Sequence, residues 1–293
     1  SAPPLDEARS RPAVGVPALG PAGGVVVPAV VSGFGIAVLM WAIGYVTHLR
    51  QGMLPGPVVF ALLLAALLGG GWLIGRLRPD RPVAAGALAG ATASLVNLLI
   101  LGSVVSGEEG GASFALAALG SIVAATAACV GAAVLGARSR AAGTPRMDAA
   151  DWRHAMVVVT CVATFFVVIA GGLVTSTETG LAVPDWPNTF GSNMFAYPLE
   201  KMVGGVYYEH AHRLYGSLVG MCTIATAVVV LGTREPRRWV RRMAVAAVPM
   251  VIVQGLMGGL RVTGSFTLAV EGEVLQPNTG LAITHGIFGQ CFL

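Results

Sequence analysis

Apolar runs alternate with short charged loops along most of this 293-residue chain. Stretches of spanning length lie at about 25–46, 55–75, 83–105, 112–136, 154–176, 207–231 and 243–262. Each approaches the ~20 residues that a bilayer asks of a helix. An eighth run begins near Leu281 and is cut off at Leu293. That is too short to span, so the sequence reads as a piece of a longer protein. The pattern predicts an all-α polytopic membrane protein, a transmembrane helical bundle of eight helices with the last truncated. Composition agrees, with 55% hydrophobic and 11% charged residues, where a soluble domain carries about 25% charged.

The first residues, 1–24, are rich in Pro, Ala and Gly and read as a disordered tail. Arg9 and Arg11 precede an apolar run from Gly23 to Val46, longer than the ~7–15 residues of a cleaved signal's core, so this run should remain as the first helix. The chain then divides into a four-helix domain of no assignable function at 25–137, a cytoplasmic linker at 138–153 and a second helical bundle half at 154–293. Polar residues are scarce in the first domain, and Asn97 and His48 read as structural.

Charge placement orients the segments. Arg76, Arg78 and Arg81 follow the second, Arg138, Arg140, Arg146 and Arg153 the fourth, and Arg234, Arg237, Arg238, Arg241 and Arg242 the sixth. The intervening loops hold Glu108 and Glu109, then Glu178, Asp185 and Glu200, then Glu271 and Glu273. The positive-inside rule puts the N-terminus and the arginine loops in the cytoplasm. The formal net charge of +4 is accounted for by these loops, so nucleic acid is not an expected partner. Cys129, Cys161, Cys222 and Cys291 all lie in apolar segments, which argues against a disulfide or a CxxC metal site.

An internal repeat follows. Segment five ends Gly171-Gly172-Leu173-Val174-Thr175 and leads to Thr179-Gly180-Leu181-Ala182-Val183; segment seven ends Gly258-Gly259-Leu260-Arg261-Val262-Thr263 and leads to Thr267-Leu268-Ala269-Val270. Each precedes an outer loop and a histidine-bearing segment, in Tyr207-Tyr208-Glu209-His210-Ala211-His212-Arg213 and in Thr284-His285-Gly286-Ile287-Phe288-Gly289-Gln290. Two such hairpins would form a four-helix bundle, a usual setting for a cofactor between facing helices.

Ionisable side chains inside spanning segments are costly and usually mark function. His212 and His285 lie at matching depths near the outer ends of their segments, a pattern that suits two axial ligands of one haem iron. Glu209, His212 and Arg213 share a helix face, whereas His210 points about 160° away from His212. Gly216 and Gly289 follow the two ligand candidates by one turn, where a flat macrocycle would need bare backbone. Plainer roles stay open: interfacial histidines, an Arg213 that snorkels to headgroups or binds haem propionates, and a Glu209 that complements the helix dipole. No His-Glu-x-x-His pattern supports zinc hydrolysis. The long outer loop, 177–206, carries Pro184-Asp185-Trp186-Pro187 and reads either as a lid or as an interfacial loop anchored by Trp186 and Phe190.

Residues 154–293 resemble the haem A synthase family of cytochrome oxidase assembly proteins. The resemblance rests on Gly171-Gly172-Leu173 leading to Thr179-Gly180-Leu181, on Pro184-Asp185-Trp186-Pro187, on Glu209-x-x-His212-Arg213, on Gln254 through Gly259, and on His285 with Gly289-Gln290. It implies an eight-helix enzyme of two four-helix halves, the first holding the substrate haem and the second a haem b. It implies that His212 and His285 hold haem O or A, that Glu209 is the acidic group acting on the haem, and that Arg213 orients the site. The implied reaction oxidises the C8 methyl of haem O to the formyl of haem A for cytochrome c oxidase assembly. The implied setting is a bacterial inner membrane beside the haem O synthase and the oxidase, with the site near the outer face and an oligomer compatible.

This chain departs from the family in three ways. Residues 177–206 lack the cysteine pair that many bacterial members carry. The half with its own histidine pair and haem b would lie beyond Leu293, and segments one to four have no counterpart in the core family. A bis-histidine b-type cytochrome moving electrons from quinol is the alternative enzyme-free reading. A transporter or assembly factor with interfacial histidines is a third.

Overall fold

The computed structural model describes residues 23–49, 54–78, 80–106, 112–143, 147–263, 269–270, 274–275 and 278–293. Eight helices appear in chain order: α1 (Gly23–His48), α2 (Gly56–Leu77), α3 (Pro82–Ser106), α4 (Ala112–Arg138), α5 (Ala149–Ser176), α6 (Gly205–Gly232), α7 (Arg238–Val262) and α8 (Thr279–Phe292). The first seven are long and apolar enough to cross a membrane, and the fold is an all-α polytopic membrane protein. Two small hairpins complete it, β1 (Asn188–Thr189) with β2 (Ser192–Asn193) and β3 (Ala269–Val270) with β4 (Val274–Leu275). The residues foreseen as a disordered tail before Gly23, and the acidic markers Glu108, Glu109, Glu271 and Glu273, lie outside the described residues.

The expected linker at 138–153 is shorter than the hydropathy suggested. Asp148 caps α5: its carboxylate accepts from the Ala150 and Asp151 amides, while Asp151 accepts from the Asp148 amide. This reciprocal box satisfies donors that a helix start leaves unpaired. It begins the helix at Ala149, five residues before the apolar run.

In the first half α1 packs on α2 and α3, α3 on α4, and α4 back on α2. Glycines allow the close approach: a Cβ on Gly71 would lie 2.8 Å from the Cys129 carbonyl, and one on Gly86 or Gly90 would lie 2.9 Å from the Cα of Val130 or Thr126. Small residues at such crossings are how membrane helices gain packing where lipid competes for apolar contact. The two expected structural polar residues are satisfied: Trp41 Nε1 donates to Asn97 Oδ1 at 3.1 Å, and His48 Nδ1 lies 2.7 Å from the Gly44 carbonyl.

In the second half α5 packs on α6, α6 on α7, α7 on α8, and α8 closes on α5. The ring is the bundle that the repeated hairpins implied. The halves meet where α1 lies against α5 and α6. There Trp41 and Tyr45 pack edge-on against Tyr215, at 5.6 and 5.3 Å between ring centroids, and Tyr207 donates its hydroxyl to the Tyr45 carbonyl at 2.9 Å.

Candidate functional site

The 177–206 loop is held down by one turn of α6. Glu209 is 4% exposed and its carboxylate accepts from Arg213 Nε at 3.1 Å, a buried i,i+4 ion pair. The rest of the guanidinium clasps the loop: Nη1 donates to the carbonyls of Asp185 (2.6 Å) and Asn188 (3.1 Å), and Nη2 to that of Val183 (2.7 Å). A planar fork of donors suits three carbonyls and a carboxylate together. Every contact that Arg213 makes among the described residues is therefore with protein groups.

The loop folds back on itself through Asp185. Its carboxylate accepts from the Phe190 and Gly191 amides at 2.8 and 2.7 Å. These residues form the two-residue turn of the β1–β2 hairpin and both have positive φ, 48° and 76°. Such turns fit the twist of a hairpin, and Asp185 holds the non-glycine Phe190 in the conformation. Burial alone would raise the Asp185 carboxyl, but the Gly191 and Phe190 amides, helped by Arg213, outweigh it and hold it below the ordinary carboxylate value.

His210 serves the same loop. It is 1% exposed, with Nδ1 3.1 Å from the Thr189 hydroxyl, the Met194 backbone beside it, and its ring 5.2 Å from that of Tyr197. The sequence placed it away from His212, and the structure gives that opposite face a purpose.

His212 turns into the bundle. Its ring and that of His285 face each other at 6.1 Å between centroids, with planes at 86°. Each ring lies on the first glycine of a Gly-Gly pair: a Cβ on Gly171 would meet His212 Cε1 at 2.9 Å, and one on Gly258 would meet His285 Cε1 at 3.2 Å. One turn earlier on the same helices, the backbones of Val167 and Gln254 adjoin His212 and His285. The repeat thus holds at the level of contacts, with glycine and imidazole matched in both hairpins.

The other glycines behave differently. Gly216 faces open space, while Gly289 is covered by the Gln254 amide, whose Nε2 would lie 2.8 Å from a Cβ there and donates to the His285 carbonyl at 2.7 Å. Bare backbone against the imidazoles comes from Gly171 and Gly258 on the facing helices. The sequence displayed that Gly-Gly repeat but could not show which side chain it receives.

Two further residues reach the site from the repeat. Trp186 lies on Gly259, where a Cβ would fall 2.6 Å from Cε2 of the indole, so the outer loop of the first hairpin docks on α7 of the second. The Arg261 guanidinium lies on Gly180, with Cζ 2.9 Å from a Cβ built there. Arg261 also acts electrostatically on Glu209, His212 and His285. Its signal in the sequence was an arginine at the helix end that adjoins an acidic loop.

Two opposed imidazoles bonded to one metal, at about 2 Å per bond, put their centroids roughly 6 Å apart. The observed spacing fits that, and Nδ1 of each histidine is buried without a hydrogen-bond partner. Among the described residues no group of three or more His, Cys, Asp or Glu could hold a metal. Two histidines suffice where a macrocycle supplies the remaining donors.

Comparison with known proteins covers much of the same half of the chain. Residues 154–279 match the family model described as cytochrome oxidase assembly protein. The chain is 30% identical over 102 residues to the heme A synthase of Alkalihalophilus pseudofirmus, covering 34% of this chain and 33% of that one. It is 34% identical over 102 residues to the heme A synthase of Shouchella clausii, with the same shares. A protoheme IX farnesyltransferase of Haloarcula marismortui is 27% identical over 138 residues, 47% of this chain and 27% of that one. No solved structure matches. The chain spans about one third of the length of the heme A synthases it matches. Residues 154–279 of this chain thus resemble cytochrome oxidase assembly proteins, and about a third of the chain is similar to heme A synthases.

Proposed function

We propose that the second half of this chain binds the substrate haem of a haem A synthase and converts haem O to haem A by oxidising its C8 methyl group. The observation that carries the reading is the facing pair His212 and His285, each seated on a repeat glycine with an imidazole nitrogen left unpartnered. These histidines would hold the iron of the bound haem. Conversion of a methyl to a formyl group takes one oxygen atom from water and releases four protons and four electrons, the electrons passing to an acceptor outside this half, and Glu209 is the buried carboxylate that would take a proton. Arg213 holds Glu209 beneath the loop, and Trp186 docks the loop on Gly259 of α7.

The arginine loops set the membrane orientation, with the N-terminus in the cytoplasm and the site near the outer face of a bacterial inner membrane. Haem O would come from a haem O synthase and haem A would pass to cytochrome c oxidase. A second haem, of b type, belongs to the other half of the enzyme. The likeness to a protoheme IX farnesyltransferase supports a setting in haem O chemistry.

The test is haem extraction and chromatography from the detergent-purified full protein. Haem O or A is expected in the wild type and should vanish in the His212→Ala/His285→Ala variant. Glu209→Gln should retain haem but stop haem A formation. Undiminished haem A in that variant would remove Glu209 from the chemistry, and haem B alone at the site would convert the reading to an electron-transferring cytochrome.

A further inference from the structure

Of the two arginines at the site, one is spent on partners among the described residues and the other is not. Arg213 gives its donors to Glu209 and three loop carbonyls. Arg261 has no hydrogen bond or ion pair among the described residues, and its Nε is buried without a partner. An unpaired cation in a low-dielectric setting is costly, and such groups persist in membrane proteins chiefly where they meet a ligand or a counter-charge. The nearby carboxylate, Glu209, is already engaged by Arg213.

Position supplies the rest. Gly258 and Arg261 are three residues apart on α7 and share a face. His285 occupies the bare backbone of Gly258, and Arg261 stands one turn nearer the outer end, its guanidinium fixed against the Gly180 backbone. We propose that Arg261 is the carboxylate anchor of the site, pairing with an acid group on the rim of the macrocycle held between His212 and His285. Guanidinium matches a carboxylate in two parallel hydrogen bonds, which fixes direction as well as adding affinity.

The internal repeat makes this anchor informative. Val174, three residues after Gly171, is the place on α5 equivalent to Arg261, and it is an apolar side chain only 1% exposed. Histidines and glycines are duplicated, but the cation is not. A frame of near two-fold design would accept a flat ligand either way round; one arginine on one side breaks that symmetry and sets which edge of the ring comes to Glu209.

The proposal rests on the bis-histidine reading, and one titration separates them. Haem-stripped full-length protein in detergent is titrated with protohaem IX and with its dimethyl ester, followed by optical spectra. The wild type should give a low-spin bis-histidine spectrum with the free acid and bind the ester roughly tenfold or more weakly, the worth of a charge-assisted hydrogen bond. Arg261→Gln should equalise the two ligands while keeping the low-spin spectrum, and Arg261→Lys should restore part of the preference. Equal binding of acid and ester by the wild type, or a preference surviving in Arg261→Gln, overturns the anchor and leaves the histidine reading intact. No low-spin spectrum with either ligand overturns both. If Arg261→Gln fails to fold, Arg261→Lys decides: a reduced preference for the free acid supports the anchor, and an unchanged one overturns it.

Discussion

Where α2 crosses α4, glycine brings backbone against backbone, as Gly71 meets the Cys129 carbonyl; where α5 meets α6 and α7 meets α8, glycine brings backbone against an imidazole. The same residue type thus packs helices in one half of the molecule and receives a histidine ring in the other. Buried unpartnered atoms differ in kind as well. Among the described residues those of α1–α4 are the hydroxyls of Tyr45 and Thr126, whereas those of α5–α8 include the Nδ1 atoms of His212 and His285 and Nε of Arg261. Buried imidazole and guanidinium nitrogens without partners are what a binding site holds in reserve, and a supporting scaffold has little use for them.

The contrast breaks most severely at the ion pair. Arg213→Ala leaves Glu209 buried without its counter-charge, a loss of about 3–5 kcal/mol. The damage should be local, because the same guanidinium clasps the loop at Val183, Asp185 and Asn188. Hydrogen exchange should show protection collapsing at the Phe190 and Gly191 amides while α1–α4 keep theirs. Equal loss in both halves would mean that Arg213 supports the whole fold and is no special clasp.

Overpacking the two kinds of glycine sharpens the contrast. Gly71→Leu forces backbone from backbone and should cost about 1–3 kcal/mol, read as a lower unfolding midpoint. Haem spectra of the remaining folded protein should be unaltered. Gly171→Leu meets the His212 ring, which can rotate away, so it should cost less stability but abolish the low-spin spectrum. A Gly171→Leu protein with an unchanged spectrum would show that the seat does not position the ligand.

Much of this was legible in the chain because membrane helices announce themselves by length and apolarity, and all eight appeared within a few residues of their runs. The start of α5 escaped because Asp148 and Asp151 cap it with charge, which hydropathy counts as loop. Glu209, His212 and Arg213 were legible as one face from helical periodicity. His210 was not, since its partners Thr189 and Met194 belong to an irregular loop whose path no periodicity encodes. The pairing of Gly171 with His212 and of Gly258 with His285 depends on how helices cross, which a repeat hints at but does not fix. Arg261 was passed over for a related reason: its importance lies in lacking a partner, and partners become visible only in three dimensions.

The smallest expected effect concerns pH, and it compares the two loops that flank α6. Asp185, in the loop before it, is held below the ordinary carboxylate value by the Gly191 and Phe190 amides and Arg213 acting against burial. Glu235, in the loop after it, is held low first by its hydrogen bond from Arg237, then, against burial, by the Arg237 amide and by Arg153, whose Nε lies 2.8 Å away. A carboxyl whose folded value is depressed stabilises the fold fully above its unfolded value, about 4, and the contribution fades as pH falls through the folded value. Neither loop should therefore respond between pH 5 and 8, and both should loosen only in stronger acid. Asp185→Asn should remove the acid response of the β1–β2 hairpin and leave that of the Glu235 loop, measured by amide exchange at Phe190 and at Arg237. A hairpin that opened near neutral pH would assign the response to another group in contact with the loop, with His210 at its base the first to replace.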